Sequence, residues 1–213
     1  MKEQPVAEPM AVPPSPTAST WNIANALTVF RLVLVPIFVL ALFADGGHTD
    51  GWRWVAWGVF AVASYTDRID GQIARSRNLV TSFGKLVDPI ADKALIGAAL
   101  IGLSLLDELP WWITVLVLVR ELGVTLLRFW VIRHGVIPAS RGGKLKAFLQ
   151  AVAIGLYVLP LSGVLASGRA WVMGLAIVVT VVTGIDYVAR ALTLRQTSER
   201  AAMKRARKAA RQP

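Results

Sequence analysis

Six apolar runs dominate this chain, at about 26–43, 53–66, 86–106, 111–132, 147–166 and 171–193. A bilayer core of about 30 Å takes about 20 helical residues, and most of these runs approach or reach that length. The second is short by itself, but it can continue as a polar helical extension through 65–77. With 55% hydrophobic and 17% charged residues, a soluble domain of 213 residues could not bury runs this long. Backbone polar groups in lipid must be satisfied within the segment, so the expected fold is an all-α membrane protein, a six-transmembrane-helix bundle.

Loop charges orient the bundle. The segment 44–52 carries Asp45 and Asp50, and the turn near 107–108 carries Asp107 and Glu108. The alternate loops carry Arg75, Arg77 and Lys85, then Arg133, Arg141, Lys144 and Lys146. The positive-inside bias puts both termini and the basic loops in the cytoplasm. Residues 1–20, rich in Pro, Ala and Ser, read as a disordered leader, 21–194 as the membrane catalytic domain, and 195–213 as a basic cytoplasmic tail. No compact signal-peptide region or transit peptide is visible, which favours a bacterial inner membrane. Much of the net charge of +10 lies in that tail and in the loops, which argues against nucleic acid; the tail could touch anionic lipid head groups or be simply a solvated basic end.

There are no cysteines and only two histidines, His48 and His134, so a metal site would have to rely on carboxylates. Asp67, Asp70 and Ala74 are spaced i, i+3, i+7, and Gly84, Asp88 and Asp92 are spaced i, i+4, i+8. Each set therefore occupies one helix face. A short basic connection makes the two helices antiparallel neighbours and brings four carboxylates to the cytoplasmic mouth of the pair. Four anions there repel one another, and a hard divalent cation, Mg²⁺ or Mn²⁺, is the economical compensation. Gly71 and Ala74 leave the helix surface bare for close approach of a ligand, with Arg75 one step further out to meet phosphate. Solvation at a helix end would account for one such aspartate but hardly for four, with glycines interleaved and apolar spans on either side, because acids at a membrane edge are costly.

The pattern D-x2-D-G-x2-A-R-x8-G-x3-D-x3-D, running without a gap from Asp67 to Asp92, resembles the signature of the CDP-alcohol phosphatidyltransferase family. Its eight fixed positions would match by chance with odds of roughly 10⁻⁸ over a chain of this length. The resemblance implies a six-helix, usually homodimeric enzyme that moves a phosphatidyl group from a CDP-lipid to an alcohol and releases CMP. It also implies that Asp67, Asp70, Asp88 and Asp92 surround the metal, that Asp92 is the catalytic base for the acceptor hydroxyl, and that Gly71, Ala74, Arg75 and Gly84 contact the cytidine diphosphate.

The signature leaves the acceptor open. Arg120 and Arg128 on the fourth run, with Lys144 and Lys146 opening the fifth, could form a basic pocket for a second phosphate. The bland reading of the two lysines is ordinary loop charge, and Glu121 reads as a partner for one of the arginines. These stretches, with Asn22–Arg31, are similar to the members of the family that accept sn-glycerol 3-phosphate from a CDP-diacylglycerol donor. Ala147 and Phe129 depart from that pattern, standing where Thr and Glu are frequent. Asn25 and Arg31 could approach the nucleotide or head group, or Arg31 could snorkel to the interface. The rival readings are a sibling transferase that accepts inositol phosphate or phosphatidylglycerol and, more remotely, a six-span transporter. A transporter would line a continuous path with charge or show broken helices in two repeated halves.

Overall fold

The computed structural model describes the backbone of residues 23–76, 82–131 and 141–209. It describes side chains at 26–66, 87, 90–91, 93–127, 143 and 145–194. Six α-helices run through the described residues: α1 Ile23–Phe43, α2 Asp50–Ser76, α3 Ser82–Leu105, α4 Trp111–Val131, α5 Arg141–Val158 and α6 Gly163–Ala209. A 3-10 turn, Ala44–Gly47, joins α1 to α2. No strand occurs among the described residues. The second run does continue as helix, to Ser76.

The boundary between the last two helices differs from the expected one. The fifth helix was expected to reach 166, but α5 stops at Val158, and α6 begins at Gly163 instead of 171. Pro160 is the cause: it has no N–H to donate, and its ring disfavours helix at the residue before it. Gly163 then restarts the chain at φ +60°, where a side chain would be strained. At its other end α6 continues as helix to Ala209.

α1 is the central strut, packed against both α2 and α3, while α5 and α4 pack on α6. Small residues allow the close approaches. Ala56 and Ala63, seven apart on α2, are fully buried, and at Gly102 a β-carbon would come within 2.7 Å of the Leu42 side chain. Phe38 of α1 and Phe60 of α2 meet at 5.8 Å between ring centroids. α2 and α3 touch each other at few described positions, although both contact α1 and α5. Both also line a common open space.

The distribution of polarity is inverted relative to a water-soluble domain. Leu40, Leu126, Val164 and Trp171 are among many large apolar residues that face outward, Trp171 being 83% exposed. Arg31, Arg53, Lys146, Gln150, Thr28, Thr114 and Thr180 are buried. Such a surface suits hydrocarbon and not water. By length and composition two segments could cross a bilayer, Ala26–Gly47 and Gly163–Leu194, and Lys93–Leu105 and Leu145–Val158 are shorter apolar helices.

One end of the bundle is closed by three tight reversals. α3 ends with Asp107 at φ +57°, the Glu108 amide donating to the Leu103 carbonyl at 2.9 Å and the Asp107 amide to the Ser104 carbonyl at 3.3 Å. This is a Schellman stop, with aspartate at the position usually held by glycine. A buried guanidinium ties the reversals together. Arg53 Nε donates to the Val158 carbonyl at 2.9 Å and Nη2 to the Tyr157 carbonyl at 2.6 Å, while Nη1 reaches the Gly47 carbonyl at 3.4 Å. The last carbonyls of α5, which have no partner within the helix, are thereby capped. Glu108 bridges Arg53 at 3.5 Å and Arg169 at 2.9 Å, and Arg169 lies 4.7 Å over the Tyr157 ring. Exposed Trp52, Trp54, Trp111, Trp112 and Trp171 all belong to this end, as an interfacial aromatic belt would.

Candidate active site

A cavity of about 490 Å³ is walled by all of the first five helices. Trp57, Phe60 and Ala61 of α2, Leu95 and Ile96 of α3, Leu118 of α4, Gly155 and Leu156 of α5, and Leu159 just after α5 make it apolar toward the Arg53 end. Toward the α2–α3 connection the lining turns polar, with Ser64, Tyr65, Lys93, Glu121, Lys146 and Gln150, and with Arg31 from α1. Gly155 widens the apolar part, since a β-carbon there would already lie 3.5 Å from Trp57 Nε1.

The polar end is a network around Glu121. Lys146, 6% exposed, donates from α5 to Glu121 Oε1 on α4. Arg120 Nη1 donates to the same oxygen at 3.1 Å, while its Nη2 donates to Thr183 Oγ1 of α6 at 3.0 Å. Lys93 Nζ donates to Thr125 Oγ1 at 2.6 Å and approaches the Glu121 carbonyl at 3.4 Å. Thr125 Oγ1 in turn donates to that carbonyl at 2.8 Å. Lys146 of α5 thus meets the Glu121 carboxylate, while Lys93 of α3 meets its main-chain carbonyl and Thr125.

Of the expected acceptor-pocket cations, Lys146 lines the cavity and Arg120 does not. The Arg120 side chain lies against Gly184 and lines a separate apolar groove between α4 and α6. The two are nonetheless joined through Glu121, which partners a lysine as well as the expected arginine. Arg31 is 1% exposed and turns into the cavity, so it does not snorkel to the surface. The side chains of Arg128 and Lys144 lie outside the described residues, as do those of Asp67, Asp70, Gly71, Ala74, Arg75, Gly84, Asp88 and Asp92. Among the described residues no three His, Asp or Glu gather in a way that could hold a metal ion. Sequence reasoning missed Lys93. Its one signal was a basic residue directly after Asp92 at the start of an apolar stretch.

The family profile for CDP-alcohol phosphatidyltransferase matches residues 21–182. The chain is 64% identical over 181 residues to a probable phosphatidylglycerophosphate synthase of Mycobacterium tuberculosis H37Rv, covering 83% of this chain and 87% of that protein. It is 36% identical over 183 residues to the CDP-diacylglycerol–glycerol-3-phosphate 3-phosphatidyltransferase of Bacillus subtilis, covering 80% and 95%. A cardiolipin synthase (CMP-forming) of Streptomyces coelicolor is 34% identical over 162 residues, covering 74% and 71%. The matched region takes in α1 to α5, every wall of the cavity, and both aspartate stripes. The chain belongs to the CDP-alcohol phosphatidyltransferase family.

Proposed function

We propose that this protein transfers the phosphatidyl group of CDP-diacylglycerol to sn-glycerol 3-phosphate, giving phosphatidylglycerophosphate and CMP. The observation that carries this reading is the two-part cavity, cationic at one end and apolar at the other. An anionic amphiphile matches that division, with phosphate among Arg31, Lys93 and Lys146 and hydrocarbon beside Trp57, Phe60 and Leu159. Register supports it further. The cavity-lining positions of α2 are Trp57, Phe60, Ala61 and Ser64, and the same spacing leads on to Asp67 and Gly71. On α3, stepping back by four from Ile96 leads to Asp92 and Asp88. The name of the Bacillus relative gives the same donor and acceptor, and that of the Mycobacterium relative the same product.

In this reading an acceptor hydroxyl attacks the lipid-side phosphorus, the bond to the CMP phosphate breaks, and the hydroxyl proton passes to Asp92. Mg²⁺ or Mn²⁺ held by Asp67, Asp70, Asp88 and Asp92 would neutralise the charge that develops on the departing CMP. Gly71, Ala74, Arg75 and Gly84 contact the cytidine diphosphate, and Arg128 and Lys144 join Lys146 at the acceptor phosphate. The enzyme spans a bacterial inner membrane six times as a homodimer. Both termini and the site face the cytoplasm, where the soluble acceptor is found.

The test supplies purified enzyme with CDP-diacylglycerol and, separately, labelled glycerol 3-phosphate, inositol phosphate or phosphatidylglycerol. Label should enter lipid with glycerol 3-phosphate. Incorporation of either rival and not of glycerol 3-phosphate would replace the proposed acceptor, and no incorporation with any would refute the reaction.

A further inference from the structure

Glu121 is an acidic residue in a wall built to receive anions. Among the described lining residues it stands alone against Arg31 from α1, Lys93 from α3 and Lys146 from α5. An isolated carboxylate there would compete with a phosphate and weaken its binding. Its surroundings indicate a different role. Lys146 reaches across from α5 to Glu121 Oε1, and the same oxygen is held from behind by Arg120 Nη1 at 3.1 Å. Arg120 is itself fixed to α6 through Thr183 at 3.0 Å, and Lys93 with Thr125 fixes the main chain at Glu121. One carboxylate oxygen, Oε1, is thus shared between Arg120, which lies outside the cavity, and Lys146, which lines it.

We infer that Glu121 is a positioning residue of the acceptor subsite, holding the Lys146 ammonium at the cavity wall where the phosphate of the acceptor arrives. The inference rests on the proposed reaction and adds a part to it. The four-carbon stem of a lysine is flexible and would spread its charge over many positions. An ammonium this buried also needs an opposite charge to remain there. Glu121 meets both needs before the substrate binds, so less ordering cost falls on binding itself. Arg120 then acts through Glu121, which explains why it turns toward α6 and not into the cavity.

The experiment compares steady-state kinetics of the full-length wild type, Glu121→Gln, Lys146→Met and the double variant, varying glycerol 3-phosphate and CDP-diacylglycerol separately. E121Q should raise KM for glycerol 3-phosphate about tenfold, equal to about 1.4 kcal/mol, with KM for CDP-diacylglycerol within twofold of wild type. In the K146M background the same change should add less than twofold, because the two side chains act as one unit. Glu121→Asp, which keeps the charge on a shorter arm, should fall between wild type and E121Q. A lower or unchanged acceptor KM in E121Q, an equal rise for both substrates, or a full effect added on top of K146M would each overturn the assignment. If E121Q does not fold, E121D reads the same split, and an acceptor KM equal to that of wild type would overturn it. Failure of the wild type to label lipid from glycerol 3-phosphate would instead sink the reaction on which the inference rests.

Discussion

Arg53→Met removes the guanidinium that caps α5 while keeping an unbranched apolar stem. The magnitude follows from what is left behind. Arg53 is 3% exposed and donates to the Val158 and Tyr157 carbonyls at 2.9 and 2.6 Å. The 3.4 Å approach to Gly47 is too long to count for much. Two buried carbonyls stripped of their donor cost about 1–3 kcal/mol each, partly offset because a charge no longer has to be buried. A net loss of about 2–4 kcal/mol remains. For a chain of this size that corresponds to a fall of about 4–16 °C in melting temperature. The ion pair is the competing explanation, since Glu108 lies 3.5 Å from Arg53. Glu108 is 30% exposed, however, and a rim pair contributes about 1 kcal/mol at most, so Glu108→Gln should lower the midpoint by about 4 °C or less. The assay is thermal unfolding of detergent-solubilised protein, followed by size-exclusion chromatography with fluorescence detection. If Arg53→Met melts within 2 °C of wild type, or if Glu108→Gln falls as far, helix capping is not what this residue does.

Other expected outcomes concern the site. Asp92→Asn should keep CDP-diacylglycerol binding, measured by equilibrium binding, yet abolish turnover; a near-normal rate would remove Asp92 as the base. EDTA should stop the reaction and added Mg²⁺ or Mn²⁺ restore it, whereas an enzyme indifferent to chelation would show that the aspartates hold no required ion. Gly155→Ala should be nearly silent, since its β-carbon finds ordinary contact distances of 3.5–3.9 Å to Trp57 and Phe60. Gly155→Leu, filling the apolar end of the cavity, should raise KM for CDP-diacylglycerol at least fivefold and leave the acceptor KM within twofold.

Much of this architecture was legible because apolar runs in a membrane-like chain have few ways to satisfy their backbone. All six runs correspond to helices, and the polar continuation of the second is helical to Ser76. The error at 159–170 came from reading hydrophobicity as helix. Leu159, Leu161 and Val164 are as apolar as their neighbours, and only Pro160 and Gly163 mark the break. The role of Arg53 was equally hidden. At the edge of an apolar run it reads as a boundary charge, and the carbonyls it caps are those of Tyr157 and Val158, more than 100 residues away.

The site divides in the same way. The aspartate pattern is local, spread over α2 and α3 with only a short connection, so a single stretch of sequence carries the family and its chemistry. The lining of the cavity is not local: Arg31, Lys93, Glu121 and Lys146 come from four different helices. Each alone looks like an ordinary charge at a membrane edge. In the proposed reading a reaction class can be written in one motif, because a metal and a nucleotide would need fixed spacing on two neighbouring helices. Choosing among acceptors needs cations placed around a volume, and helices that meet only after folding must supply them. Variation in the acceptor should therefore track the cavity walls on α1, α4 and α5, while the aspartate stripes stay constant. A relative with an intact Asp67–Asp92 pattern but an uncharged residue at 121 or 146 would be expected to use a different alcohol.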